Sequence, residues 1–120
     1  MSAADRLDRL PSRATGLARH QLGSIDERGL VAARAAELVL AAAEARQQAR
    51  WVTFLEPLPE RLRDGDLADL RWATLRARAA FGPKDSIRDV VPADLTEPFL
   101  DAIDRLIREL NRFDWAAREG

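Results

Sequence analysis

The stretch Ser24–Glu56, SIDERGLVAARAAELVLAAAEARQQARWVTFLE, decides the fold. It holds no proline, and Gly29 is its one glycine. Val31, Ala35, Leu38, Ala42, Ala45, Ala49 and Val52 recur at spacings of four and three, which is one face of a helix. Leu30 and Val39 widen that face. The spacing predicts one long helix, roughly 45 Å at 1.5 Å per residue. Its inward seam is mostly alanine, so neighbouring helices are expected to approach closely. Ser24 and Glu27 match the capping box, in which each side chain satisfies an amide at a helix start. Asp26 adds negative charge where the helix macrodipole is positive. Trp51, Phe54 and Leu55 make the last turn apolar. Pro57 disfavours helical geometry at Glu56, so the helix is expected to stop there.

Beyond Pro57 the punctuation is dense. Glu60 to Arg63 reads as a single turn closed at Asp64-Gly65. Asp66 is a good cap for a helix whose stripe is Leu67, Leu70, Thr74, Ala77 and Phe81. Trp72 and Leu75 lie off that stripe. Gly82-Pro83 is expected to end it. Ser86 is the expected cap of a short turn with Ile87, Val90 and Val91, closed by Pro92. Asp94 or Thr96 then caps the final helix, with Pro98 in its first turn. Phe99, Ile103, Leu106, Leu110 and Phe113 form the buried stripe of that helix, flanked by Leu100 and Ile107. Before Ser24, residues 1–22 read as an N-terminal arm or as two short helices separated by Pro11, and Gly23 frees the chain to turn.

These segments predict an all-α fold, an antiparallel bundle of four to five helices with one long alanine-rich helix. At 120 residues the expectation is one domain over 1–120. Nothing alternates at period two for long enough to be a strand.

Composition narrows the function classes. The net charge is −1, so no global field draws in nucleic acid or an anionic membrane. The chain has no cysteine, which removes disulfides, thiol nucleophiles and zinc–thiolate sites. No apolar run reaches membrane-spanning length. The segment MSAADRLDRL carries acids and lacks an apolar centre, so it does not read as a signal peptide. A cytoplasmic bacterial protein is the expectation. Arginine far outnumbers lysine, Lys84 being the one lysine.

Candidate chemistry is sparse. His20 is the single histidine, a candidate acid–base group but without a second histidine or an acidic pattern to hold a metal. Asp64, Asp66 and Asp69 carry hard oxygen ligands but lack the calcium-loop pattern, and Asp66 is better used as a cap. No metal or cofactor is expected. Arg71, Arg76, Arg78, Lys84 and Arg88 form a candidate anion- or RNA-binding cluster, since guanidinium groups grip phosphate or carboxylate bidentately. Arg105, Arg108 and Arg112 line the last helix, with Asp101 and Asp104 as expected partners. Trp51, Phe54, Trp72 and Phe81 are candidate interface or pocket aromatics, expected to meet at one end of the bundle.

The segment Leu75-Arg76-Ala77-Arg78-Ala79-Ala80-Phe81, followed by Asp94-Leu95-Thr96-Glu97-Pro98 and the helix Phe99 to Leu110, resembles the second half of the HEPN superfamily. Those are small helical proteins of bacterial toxin–antitoxin and defence systems. The resemblance covers about the last fifty residues. It aligns Arg76 with the arginine of the family motif and places Phe81 where the catalytic histidine would stand. Pro83 stands where some members carry a tyrosine, and this chain has none. The resemblance therefore implies an inactive, binding-type member, because the arginine alone does not supply the family's ribonuclease mechanism.

The favoured expectation is a non-enzymatic helical protein that works by association, as a homodimer or as a subunit of a larger assembly. The alternatives are an RNA-binding or RNA-cleaving protein using the arginine cluster, and a bundle that holds a small molecule among its aromatics.

Overall fold

The computed structural model describes the backbone from Gly16 to Glu119 and the side chains from Gly23 to Arg118. Five α-helices follow in order: α1 (Gly16–Ala45), α2 (Ala49–Leu55), α3 (Leu58–Asp64), α4 (Leu67–Ala79) and α5 (Ala93–Glu119). A 3-10 turn, Ile87–Asp89, joins α4 to α5. The described residues contain no strand, and the all-α architecture is as predicted.

The long helix is displaced from its expected bounds at both ends. It begins before Ser24 and runs straight through Gly23, where a turn is expected. The Ser24–Glu27 capping box therefore does not form, because Ser24 lies inside α1 and its hydroxyl donates to Glu109 of α5 instead. At the other end α1 stops at Ala45, and the chain restarts as α2 after Gln48. Gln47 takes a left-handed conformation, φ 55°. The Gln47 amide donates to the Glu44 carbonyl at 3.0 Å, and the Gln48 amide donates to the Ala43 carbonyl at 3.0 Å. This pair of bonds is a Schellman ending. Glycine normally fills the left-handed position, so glutamine there gives no sequence signal.

The seam of α1 is also rotated. Ile25, Ala32, Ala33, Ala36, Val39, Ala42 and Ala43 are buried, whereas Val31 and Leu38 of the expected inward face are exposed. Gly29 belongs to the buried side: a Cβ built there would stand 2.7 Å from the backbone carbonyl oxygen of Leu62. Its role is close approach of α3 to α1, not interruption of the helix.

The remaining elements follow their local chemistry. Asp66 and Asp69 close a reciprocal capping box at the start of α4, each side chain accepting from the other's amide, at 2.9 and 3.2 Å. Around the 3-10 turn the Ser86 hydroxyl accepts from the Arg88 amide and the Asp89 carboxylate accepts from the Ser86 amide, both at 3.1 Å. Helix α4 buries Leu70, Ala73, Thr74 and Ala77, and α5 buries Phe99, Ile103, Leu106 and Leu110, close to the predicted stripes. Helix α5 starts at Ala93, so Pro98 lies beyond its first turn and one main-chain bond is missing there. Thr96 is not the cap: its side chain is buried, and its hydroxyl has no hydrogen-bond partner among the described residues.

Helices α4 and α5 run antiparallel, since Arg71 pairs with Asp114 and Arg78 with Asp104. Of the ion pairs expected along α5, Asp101–Arg105 forms at 3.0 Å. Asp104 turns to Arg78, and Arg112 pairs with Glu109 at 2.8 Å.

Candidate functional site

Two surfaces collect the side chains that the core does not use. The first is the outer face of α1. Leu30, Val31 and Leu38 are 52%, 56% and 43% exposed. Val31 and Leu38 are seven residues apart, so they stand on one side of the helix two turns apart. Ala41 and Ala45 extend the same side and are exposed. Arg34 and Glu37 lie between the two apolar anchors and pair at 3.6 Å. This face is opposite the buried alanine seam.

The second surface joins α2, α3 and α4. Arg76 reaches from α4 to the end of α2, where Nε donates to the Phe54 carbonyl at 2.7 Å. The last carbonyls of a helix lack intrahelical donors, so this bond closes the end of α2. The same guanidinium lies 4.3 Å from the centre of the Phe54 ring and 5.2 Å from that of Trp72. Arg61 of α3 lies 4.2 Å from the Trp72 ring centre. Trp51 meets Phe54 edge to face at 5.4 Å, with Arg50 over Trp51 at 5.0 Å. Trp51 is buried, Phe54 is half-buried and Trp72 is 39% exposed.

Of the four aromatics expected together, three thus share one cluster with Arg76 as the link. Phe81 is elsewhere. It packs on Phe99 with ring centres 5.9 Å apart, and Arg88 lies over its outer side at 5.2 Å.

The predicted basic cluster is spread along the fold. Arg71 forms a two-armed pair with Asp114, and Arg78 faces Asp104 at 3.6 Å. Arg88 grips Glu97 with bonds of 2.8 and 3.2 Å. That grip holds the Glu97 carboxyl below its ordinary pKa and raises that of Arg88. Lys84 is exposed. Arg76 has no carboxylate partner among the described residues; its contacts are the carbonyl and the two rings.

The side chain of His20 lies outside the described residues, as do residues 1–15. Among the described residues no group of three metal-ligating side chains gathers. A shallow groove of about 220 Å³ runs between α4 and α5, lined by Arg71, Thr74, Leu75, Ile107, Leu110 and Asn111. None of the four expected aromatics lines it.

The chain matches no protein-family model, no curated protein and no solved structure.

Sequence reasoning missed two contributors. In sequence Arg61 carries no signal that sets it apart from other arginines; the α3–α4 turn brings it over Trp72. The exposure of Val31 and Leu38 depends on which side of α1 its neighbours cover, and helical spacing alone does not choose between sides that both hold alanine. The presence of Arg34 and Glu37 between those two residues is the signal that marks this side as outward.

Proposed function

We propose that this protein works without catalysis, by pairing through the outer face of α1 with a second copy of the chain. The observation that carries the reading is the exposure of Val31 and Leu38 on one side of the longest helix. Large apolar side chains grouped on a polar-rimmed surface mark sites of association. Small residues at Ala41 and Ala45 let a second helix come close.

A two-fold pairing suits this face. An antiparallel arrangement with its midpoint at the level of Ala36 sets Val31 against Ala41 of the second copy and Arg34 against Leu38. It also brings each Arg34 beside Glu37 of the second copy, so charges of opposite sign meet twice. The likeness to the HEPN superfamily, with Phe81 in place of the catalytic histidine, agrees with a chain that binds and does not cleave. A cytoplasmic bacterial setting belongs to the same reading. Among the described residues no helix is long and apolar enough to cross a membrane.

The reading favours association over RNA cleavage because three of the five residues in the predicted basic cluster, Arg71, Arg78 and Arg88, already face carboxylates. Size-exclusion chromatography with light scattering tests it. The expected mass is twice that of the chain, falling to one chain in Leu38→Glu with the helical spectrum intact. A single-chain mass for the unaltered protein overturns the proposal.

A further inference from the structure

The cluster around Trp72 is held together by groups that usually serve binding, and its cations are incompletely neutralised. Arg76 uses Nε on the Phe54 carbonyl, which fixes the plane of the guanidinium. A guanidinium carries five N–H donors, so four remain on the two terminal nitrogens. No carboxylate among the described residues takes them. Arg61, over the same Trp72 ring, has one long contact, 3.5 Å to Asp69, with both side chains well exposed. A pair so exposed and so long contributes little. Two guanidinium groups thus lie over one half-exposed indole, and stacking on aromatic rings limits the motion of each.

We propose that Arg61, Trp72 and Arg76 form a docking site for a carboxylate of an acidic protein segment, a Glu- or Asp-bearing stretch of a partner chain. The carboxylate takes the terminal nitrogens of Arg76 two at a time, and Arg61 supplies the second cation. The aliphatic part of the acidic residue lies on the exposed indole. Arginine and tryptophan are the residue types most enriched where binding energy concentrates.

The surroundings favour a carboxylate over a nucleic-acid backbone. Arg71, Arg78 and Arg88 are committed to acids elsewhere, so these three do not extend the site into a basic track. Asp69 stands beside Arg61 and repels every anion, so a segment that presents a single carboxylate is repelled less than a run of closely spaced phosphates. The overall charge of −1 gives a polyanion no long-range attraction. The site uses α3 and α4 residues, so it stands whether or not α1 pairs with a second copy.

The test is a nuclear magnetic resonance titration of the full chain, following the arginine Nε–H and tryptophan indole N–H signals. The probes are a capped tetraglutamate peptide, its tetraglutamine counterpart, inorganic phosphate and single-stranded poly-uridine RNA. The expected result is saturable movement of the Arg76 and Trp72 signals with tetraglutamate, none with tetraglutamine, and weaker binding as salt rises. Arg76→Gln and Arg76→Lys should each weaken the peptide by about tenfold, the lysine because it keeps the charge but loses the flat fork. Arg108→Gln on α5 should leave the affinity unchanged. The proposal is overturned if tetraglutamate moves neither signal at millimolar concentration. It is equally overturned if tetraglutamine binds as well, or if phosphate or RNA binds these residues more tightly than the peptide. The titration of the unaltered chain decides the matter even if a variant fails to fold.

Discussion

The hydroxyl of Ser24 donates to Oε1 of Glu109 across 2.9 Å, linking α1 to α5 near the end of the chain. Glu109 is only 7% exposed, and Arg112 supplies its other oxygen with a bond of 2.8 Å. A buried carboxylate is tolerated when both oxygens are satisfied, and it becomes costly when one donor is removed. Ser24→Ala is therefore expected to destabilise the fold by about 1–3 kcal/mol. Urea unfolding of the two proteins checks this. If Ser24 were instead a helix cap, Thr or Asp would replace it well. The link to Glu109 predicts that Ser24→Asp is worse than Ser24→Ala, since it sets two carboxylates together.

Gly29 separates two explanations of a helical glycine. On propensity alone, Gly29→Ala would stabilise α1 by about 1 kcal/mol. The added Cβ would sit 2.7 Å from the Leu62 carbonyl oxygen, a backbone atom that moves only with α3. The overpacking costs about 1–3 kcal/mol and is expected to win, with a net loss of up to about 2 kcal/mol. Thermal unfolding monitored by circular dichroism distinguishes gain from loss.

Gln47 gives the opposite expectation. Its φ of 55° lies in the region where side chains are strained and glycine is not. Gln47→Gly keeps both Schellman bonds, which are made by main-chain atoms, and should raise stability by up to about 1 kcal/mol. A denaturant midpoint that falls in this variant would mean that α1 and α2 are one continuous helix.

Glu97 and Arg88 predict a pH response. The guanidinium holds the Glu97 carboxyl below its ordinary pKa. A carboxyl whose folded pKa is depressed adds stability above its unfolded pKa, and that stability is lost as pH falls through the folded value. Glu97 should therefore titrate below the ordinary glutamate value in carbon-detected nuclear magnetic resonance. In Arg88→Gln its midpoint should rise back toward that value. Both side chains are about half exposed, so the effect on stability is small and shrinks with salt.

Much of the fold is legible in the chain because its ends and stripes use ordinary signals. Asp66 caps α4, Ser86 caps the 3-10 turn, and the Phe99–Ile103–Leu106–Leu110 stripe is buried. The divergences have physical causes. The end of α1 is hidden because main-chain bonds close it around a glutamine. Its start is hidden because Ser24 finds a distant carboxylate that outcompetes a local cap. The orientation of α1 is ambiguous because alanine occurs on several sides, and alanine signals little about burial. The arginine positions are visible in sequence, but their partners are not. Asp104 and Asp114 become partners of Arg78 and Arg71 only once α4 and α5 pack together.

The pairing of α1 with a second copy is tested most directly by pulsed electron paramagnetic resonance. The chain has no cysteine, so Glu44→Cys, exposed and beside the contact face, offers a single site for a spin label. An antiparallel pair centred at Ala36 separates the two labels by 16 residues of rise at an interaxial distance of 8–10 Å, or about 25 Å. The account predicts an intermolecular distance near that value, abolished by adding Leu38→Glu. Absence of any intermolecular coupling in the labelled protein would contradict it.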